Sequence, residues 1–172
     1  MPRKSLNFDE ASETERQALL FERACDYLSR REHSEKEIRQ KLKRKFKTVK
    51  VSELNSLLNK LKEIGFQSDE RFTESFVRSS IVRRYGPGKI KFDLASKGIE
   101  KEQGMKVIEE EAINFKQLAT EFAQRKFRRL IEEYSELEYE DKQKAKDKIY
   151  RSLCGRGFSY EDVKEVVKNI LP

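Results

Sequence analysis

Histidine is almost missing from this sequence: His33 is the one example in 172 residues. Cysteine is nearly as scarce, with Cys25 and Cys154 far apart and no CxxC pair. These shortages close most routes to catalysis. Zinc needs closely spaced Cys or His ligands, and a nucleophile needs a base beside it. His33 stands just before a helix cap and reads as a surface or cap-flanking residue. The two thiols read as small buried or half-buried groups of a reducing cytosol. No glycine-rich loop precedes a Lys-Ser/Thr pair, so nucleotide hydrolysis is not expected, and no Asp-rich calcium loop occurs. Neighbouring carboxylates (Glu109 to Glu111, Glu132 and Glu133) lie in solvated helical blocks, not in apolar pockets that would raise a pKa. No apolar run approaches the ~18 residues of a membrane span, and no secretory leader is evident. The expectation is a soluble, cytoplasmic, non-enzymatic protein without metal or cofactor.

Strand signals are also lacking, since alternating runs of β-branched residues do not occur. What the chain has instead is charge. Charged residues make up 40%, against about 25% in ordinary domains, and hydrophobic residues only 36%. Such a chain has a small core for its length and a large solvated surface. The net charge of +7 is unevenly spread. Ile38 to Lys50 holds seven bases and no acid, whereas Glu132 to Asp141 holds six acids and no base. Lys142 to Arg156 returns to six bases against one acid. Basic faces beside acidic blocks point to a polyanionic partner, with room for protein contacts of the opposite sign.

Apolar spacing is helical throughout. Residues 1–9 read as a mobile basic lead. Ser12-x-x-Glu15 and Ser34-x-x-Glu37 are capping-box signatures; between and after them fall helices ending near Arg31, Phe46 and Ile64. Phe115 to Tyr134 reads as the longest helix, and Ser159 caps the last. The chain also repeats itself. Ile38, Leu42 and Phe46 correspond to Ile90, Leu94 and Ile99, and again to Ile149, Leu153 and Phe158, at a spacing of roughly 50 residues, within the range of stacked repeat units. This predicts an all-α fold: an elongated, curved array of three tandem three-helix repeats over residues 10–66, 67–112 and 113–172. One position departs. Lys97-Gly98-Ile99 and Arg156-Gly157-Phe158 carry a glycine suited to a left-handed helix stop, but Arg44-Lys45-Phe46 does not. The same tight stop is not expected there.

The central stretch holds Asp69-Glu70-Arg71-Phe72, Phe76, Arg78, Tyr85-Gly86-Pro87, Ile90, Leu94 and Lys97-Gly98-Ile99. In this order and spacing the series resembles the RecX family of bacterial recombination regulators, and the likeness extends from about Ala18 to Val167. The resemblance implies a crescent-shaped array of three-helix repeats. It also implies a protein that binds the RecA filament on DNA and lowers its extension or stability, ATPase, strand exchange and coprotease activity. That would place it in recombination, DNA repair and the SOS response, acting as a monomer.

For contacts with RecA or DNA the basic residues favoured are Arg71, Arg78, Arg83, Arg84, Lys89 and Lys97 in the central repeat, and Arg39, Lys43, Arg151 and Arg156 in its neighbours. Their ordinary alternative is structural: Arg71 pairing with Asp69 or Glu74, and Lys97 serving a helix C-terminus. A second reading is a plain DNA-binding protein with weak, sequence-independent affinity for single- or double-stranded DNA. The bases around Arg39 to Lys45 surround their helix too evenly for base readout. A solenoid adaptor for another protein is a third.

Overall fold

The computed structural model describes residues 7–171. Among them there are ten α-helices and no strand: α1 (Glu13–Leu28), α2 (Glu35–Lys45), α3 (Val51–Glu63), α4 (Asp69–Val82), α5 (Pro87–Ser96), α6 (Lys101–Glu110), α7 (Phe115–Lys126), α8 (Arg128–Glu132), α9 (Tyr139–Cys154) and α10 (Tyr160–Ile170). A 3₁₀ turn, Tyr134–Glu136, links α8 to α9. No helix among the described residues is long and apolar enough to cross a membrane. The chain divides into two compact units, one ending at Ser75 but including Lys97–Ile99, the other formed by Phe76–Ser96 with everything from Glu100 onward.

In the first unit α1 packs on α2 and α3. Its core is Leu20 and Ala24 of α1, Ile38 and Leu42 of α2, and the four leucines of α3: Leu54, Leu57, Leu58 and Leu61. Every one follows the three-to-four-residue spacing that puts side chains on one helix face. Ser12 and Glu15 close the expected reciprocal cap. Phe8 departs from the reading of residues 1–9 as a mobile lead: it is buried and stacks on Phe46 with ring centroids 4.3 Å apart. Residues 1–6 of that lead lie outside the described residues. Arg16 grips Glu53 with two hydrogen bonds, Nε to Oε1 at 2.7 Å and Nη2 to Oε2 at 2.9 Å, and caps the Phe8 and Thr48 carbonyls.

His33 differs from its sequence reading, being 2% exposed. Its Nδ1 meets the Arg31 carbonyl at 3.0 Å and its Nε2 meets the Lys41 ammonium at 2.8 Å. With both contacts satisfied the ring is neutral: Nδ1–H donates and Nε2 accepts. Burial, then the neighbouring cations, hold its pKa below the usual imidazole value. The Ser34–Glu37 box is only half made. Ser34 Oγ accepts from the Glu37 amide, but the Glu37 carboxylate is taken by Arg31 and Lys97.

In the second unit α10 packs on α7 and α9, and α5 on α6. Ile149, Leu153, Val163, Val166 and Phe158 centre one cluster with Ala119 and Phe122. The single helix expected from Phe115 to Tyr134 is broken. Phe127 leaves the helical region (φ −113°, ψ 23°) to bury its ring, and the chain restarts as the five-residue α8. Cys25 is half-buried as expected, but Cys154 is exposed.

The repeated turns explain the glycine pattern. In the first unit Gly98 (φ +86°) lies against Lys36 at the start of α2, and Ser34 Oγ donates to the Lys97 carbonyl at 2.8 Å. In the second, Gly157 (φ +82°) lies against the start of α5, where the Gly86 and Gly88 amides donate to the Arg156 and Gly157 carbonyls at 2.8 and 2.9 Å. Each turn therefore needs both a left-handed backbone and an absent side chain. The end of α2 makes no such turn: Phe46 is extended (φ −117°, ψ 90°), as its missing glycine predicts.

Candidate functional site

The ten sequence-selected bases fall into two classes. Those of the first unit are largely occupied. Arg39 joins Glu35 and Asn55, both at 2.8 Å. Arg71 turns away from the partners expected within its own helix; its Nε meets Glu32 at 2.9 Å, and its Nη2 caps the carbonyls of Gly65 and Phe66. Asp69 is spent elsewhere, accepting the Glu35 amide at 2.8 Å and so capping α2. Lys97 meets Glu37 at 2.7 Å. Burial opposes the Glu37 charge, but Arg31 and Lys97 outweigh it and bring the carboxyl pKa down to about 2. Lys43 is exposed, with no such partner among the described residues.

The second unit is different. Arg78 pairs with Glu111 at 2.8 Å, and Lys89 with Asp93 at 3.1 Å. Arg83, Arg84 and Arg156, however, converge at the end of α4 without a carboxylate among their contacts. The backbone places them there. Tyr85 and Arg84 amides donate to the Ser80 and Ile81 carbonyls, forming the paired stop of a Schellman motif. The residue in the left-handed position of that motif is Arg84 (φ +57°), where glycine would be unstrained. Arg156 Nη1 donates to the Arg83 and Arg84 carbonyls at 2.7 and 3.2 Å, and its guanidinium lies 4.0 Å from the Phe122 ring centroid. Arg83 donates to the Ser79 carbonyl and stands 5.4 Å from the Tyr85 ring.

A cavity of about 300 Å³ opens at this corner, lined by Val82, Arg83, Arg84, Phe122, Arg125, Lys126 and Arg156. Lys126 also borders a second groove, of about 770 Å³, with Phe127, Lys144, Lys148, Arg151 and Ser152. Three of the sequence-selected residues thus meet at one corner, with Arg151 in the adjoining groove. Arg125, Lys126 and Lys148 were not in the sequence-selected set. The signals for them were the Arg125-Lys126 pair ending α7 and the basic block from Lys142 to Arg156. No carboxylate lines either groove, so the surface is suited to anions.

Comparison with known proteins accounts for both fold and repeat. Three family models match in order: the first three-helix domain of RecX over residues 21–47, the second over 68–103 and the third over 116–167. A regulatory protein RecX from Legionella pneumophila is 33% identical over 151 residues, covering 87% of this chain and 93% of the relative. One from Mannheimia succiniciproducens is 34% identical over 154 residues, covering 88% and 94%. Among solved structures, RecX from Lactobacillus salivarius shares the fold with a TM-score of 0.73 at 23% identity, over 91% of this chain and 97% of that one. A second crystal structure of a regulatory protein RecX gives 0.72 at 28% identity, over 89% and 73%. With all three domains matched in sequence order and relatives aligned over nearly their full length, the chain belongs to the RecX family of regulatory proteins.

Proposed function

We propose that this protein binds the RecA nucleoprotein filament and restrains it, limiting filament extension or stability and with it ATPase, strand-exchange and coprotease activity. In the cell this would set the level of recombination, DNA repair and the SOS response. The action is stoichiometric and cytoplasmic, by a monomer, and uses neither catalysis nor cofactor. Family membership supports the reading, and one observation about the surface carries it further. The guanidiniums of Arg83, Arg84 and Arg156 gather beside Arg125 and Lys126 with no lining carboxylate, which fits a partner that is itself strongly anionic. The acidic stretch from Glu132 to Asp141 offers a contact of opposite sign for basic protein surface.

The test is RecA's single-stranded-DNA-dependent ATPase, titrated with this protein at fixed DNA. Inhibition well below one molecule per RecA subunit is expected, because competition for bare DNA cannot act so sparsely. Inhibition only at coating amounts would favour the second reading, a sequence-independent DNA binder without RecA specificity. No inhibition at any ratio would refute the proposal.

A further inference from the structure

The arginines of the α4 corner are balanced differently from the ion-paired arginines of both units, Arg78 and Arg128 of the second included. In the first unit Arg16, Arg31, Arg39 and Arg71 each meet a glutamate at 3.0 Å or less. Among the described residues, no cation at the α4 corner of the second unit has one. Arg156 is held by two carbonyls and the face of Phe122. Lys126 donates to Ser152 Oγ at 2.9 Å. Arg84 Nε is shielded from solvent yet has no hydrogen-bond partner. A half-buried guanidinium left this way is costly, and here it is also carried on a left-handed backbone that only glycine adopts without strain. Folding alone would favour glycine at that position. A bound anion would satisfy what the fold leaves open.

The adjoining groove decides which anion. A lone phosphate or carboxylate would use only the first cavity. Lys126 belongs to both cavities, and beyond it Lys148 and Arg151 rise from successive turns of α9. Cations one helical turn apart repeat at ~5–6 Å, close to the step between phosphates along an extended strand. The phenyl rings of Phe122 and Phe127 are buried, and the one exposed apolar side chain in the lining, Val82, is smaller than the aromatic anchors typical of peptide recognition. Neither lining contains Asn or Gln to read adenine edges, and Arg156, Arg83 and Arg151 already spend donors on backbone carbonyls, which favours phosphate contact over bidentate readout of guanine.

We propose that this double groove is a track for the phosphodiester backbone of a nucleic-acid strand, entered at the Arg84–Arg156 corner, continued along Lys148 and Arg151, and indifferent to base sequence. It rests on the filament reading above and assigns the DNA contact to this surface.

The full chain would be titrated into a fluorescein-labelled, mixed-sequence 30-nucleotide single strand and followed by anisotropy across a salt series. The groove variants are Lys126→Glu with Arg151→Glu, and separately Arg125→Glu with Lys148→Glu. Lys45→Glu with Lys47→Glu, both exposed in the first unit and outside the sequence-selected set, is the charge-matched control. Each groove variant should weaken binding about tenfold or more, and its salt slope should be shallower by about 0.7 for every phosphate it no longer neutralises. The control should move far less. Equal losses in control and groove variants, or unchanged binding in both groove variants, would overturn the assignment. So would competition by inorganic phosphate or a mononucleotide at the concentration of nucleotide residues that suffices for the 30-mer, which would mean a free-anion site. Binding of a labelled acidic peptide with no binding of the 30-mer would overturn it too, and would mean a protein site. Run beside the ATPase titration, the outcomes separate. Groove-dependent DNA binding without RecA inhibition keeps the track and removes the filament reading. Inhibition with groove-independent DNA binding does the reverse.

Discussion

The Gly88 amide donates to the Gly157 carbonyl at 2.9 Å, and this hydrogen bond brings two backbones within a distance that no side chain could share. A Cβ on Gly157 would stand 2.2 Å from the Lys89 nitrogen, and one on Gly86 2.4 Å from the Gly157 carbonyl carbon. The start of α5 and the turn after α9 therefore meet backbone to backbone. The Gly-Pro-Gly motif is helix punctuation, and it is also the surface that receives the turn.

Gly157→Ala should accordingly destabilise the protein by about 2 kcal/mol or more, through both left-handed strain and the clash. Gly65→Ala is the comparison. Gly65 shares the positive φ (+74°) but would meet nothing within 4 Å, so only the conformational penalty of about 1 kcal/mol applies. Urea unfolding of the two variants checks the difference; equal losses would show that close approach is not what Gly157 supplies.

Arg84→Gly should act in the opposite direction. Relieving the left-handed backbone and the orphaned Nε should raise stability by about 0.5–1 kcal/mol. If the double groove holds a phosphate strand, the same variant should bind DNA more weakly. A variant both less stable and weaker in binding would mean that Arg84 is there to pack.

Acid should weaken the first unit through two groups. Glu37 has a folded pKa of about 2 against an ordinary 4.5, so the folded state binds fewer protons than the unfolded one across that interval. Its contribution is complete above pH 4.5 and is lost as pH falls toward 2, amounting to about 1–2 kcal/mol after allowing for solvent screening. The lowered His33 pKa acts the same way at higher pH: stability declines once pH drops below the ordinary imidazole value. Urea midpoints should fall between roughly neutral pH and about pH 3, and Glu37→Gln should flatten the lower part of that decline. An unchanged acid limb in Glu37→Gln would place the sensitivity elsewhere.

Glu53→Ala should cost about 1–2 kcal/mol, the range for losing a charged hydrogen-bond acceptor together with a helix cap. Glu53 is 5% exposed and accepts both Arg16 bonds and the Lys50 amide, so its loss strands a poorly hydrated guanidinium and uncaps α3. Chemical denaturation measures this directly. A cost below about 1 kcal/mol, the range of surface pairs, would mean that Arg16 relaxes into solvent.

Local chemistry was legible without coordinates. Helical spacing put Ile38, Leu42, Ile90, Leu94, Ile149 and Leu153 inside, and all six are buried, because a side chain's face on a helix depends only on its position in the sequence. Ser12 and Ser159 capped where their patterns indicated, since a cap closes within three residues. The family series from Asp69 to Ile99 was likewise a property of order and spacing. Tertiary structure decided whatever depended on a distant partner. His33 became a buried neutral ring because Lys41 and the Arg31 carbonyl surround it. Phe127 broke a long helix to reach the core. Above all, it decided which cations are free to act. Arg39 and Arg84 look alike in sequence, yet one meets Glu35 and the other meets no carboxylate. Charge is written residue by residue, whereas its neutralisation depends on which acid the fold brings within about 3 Å.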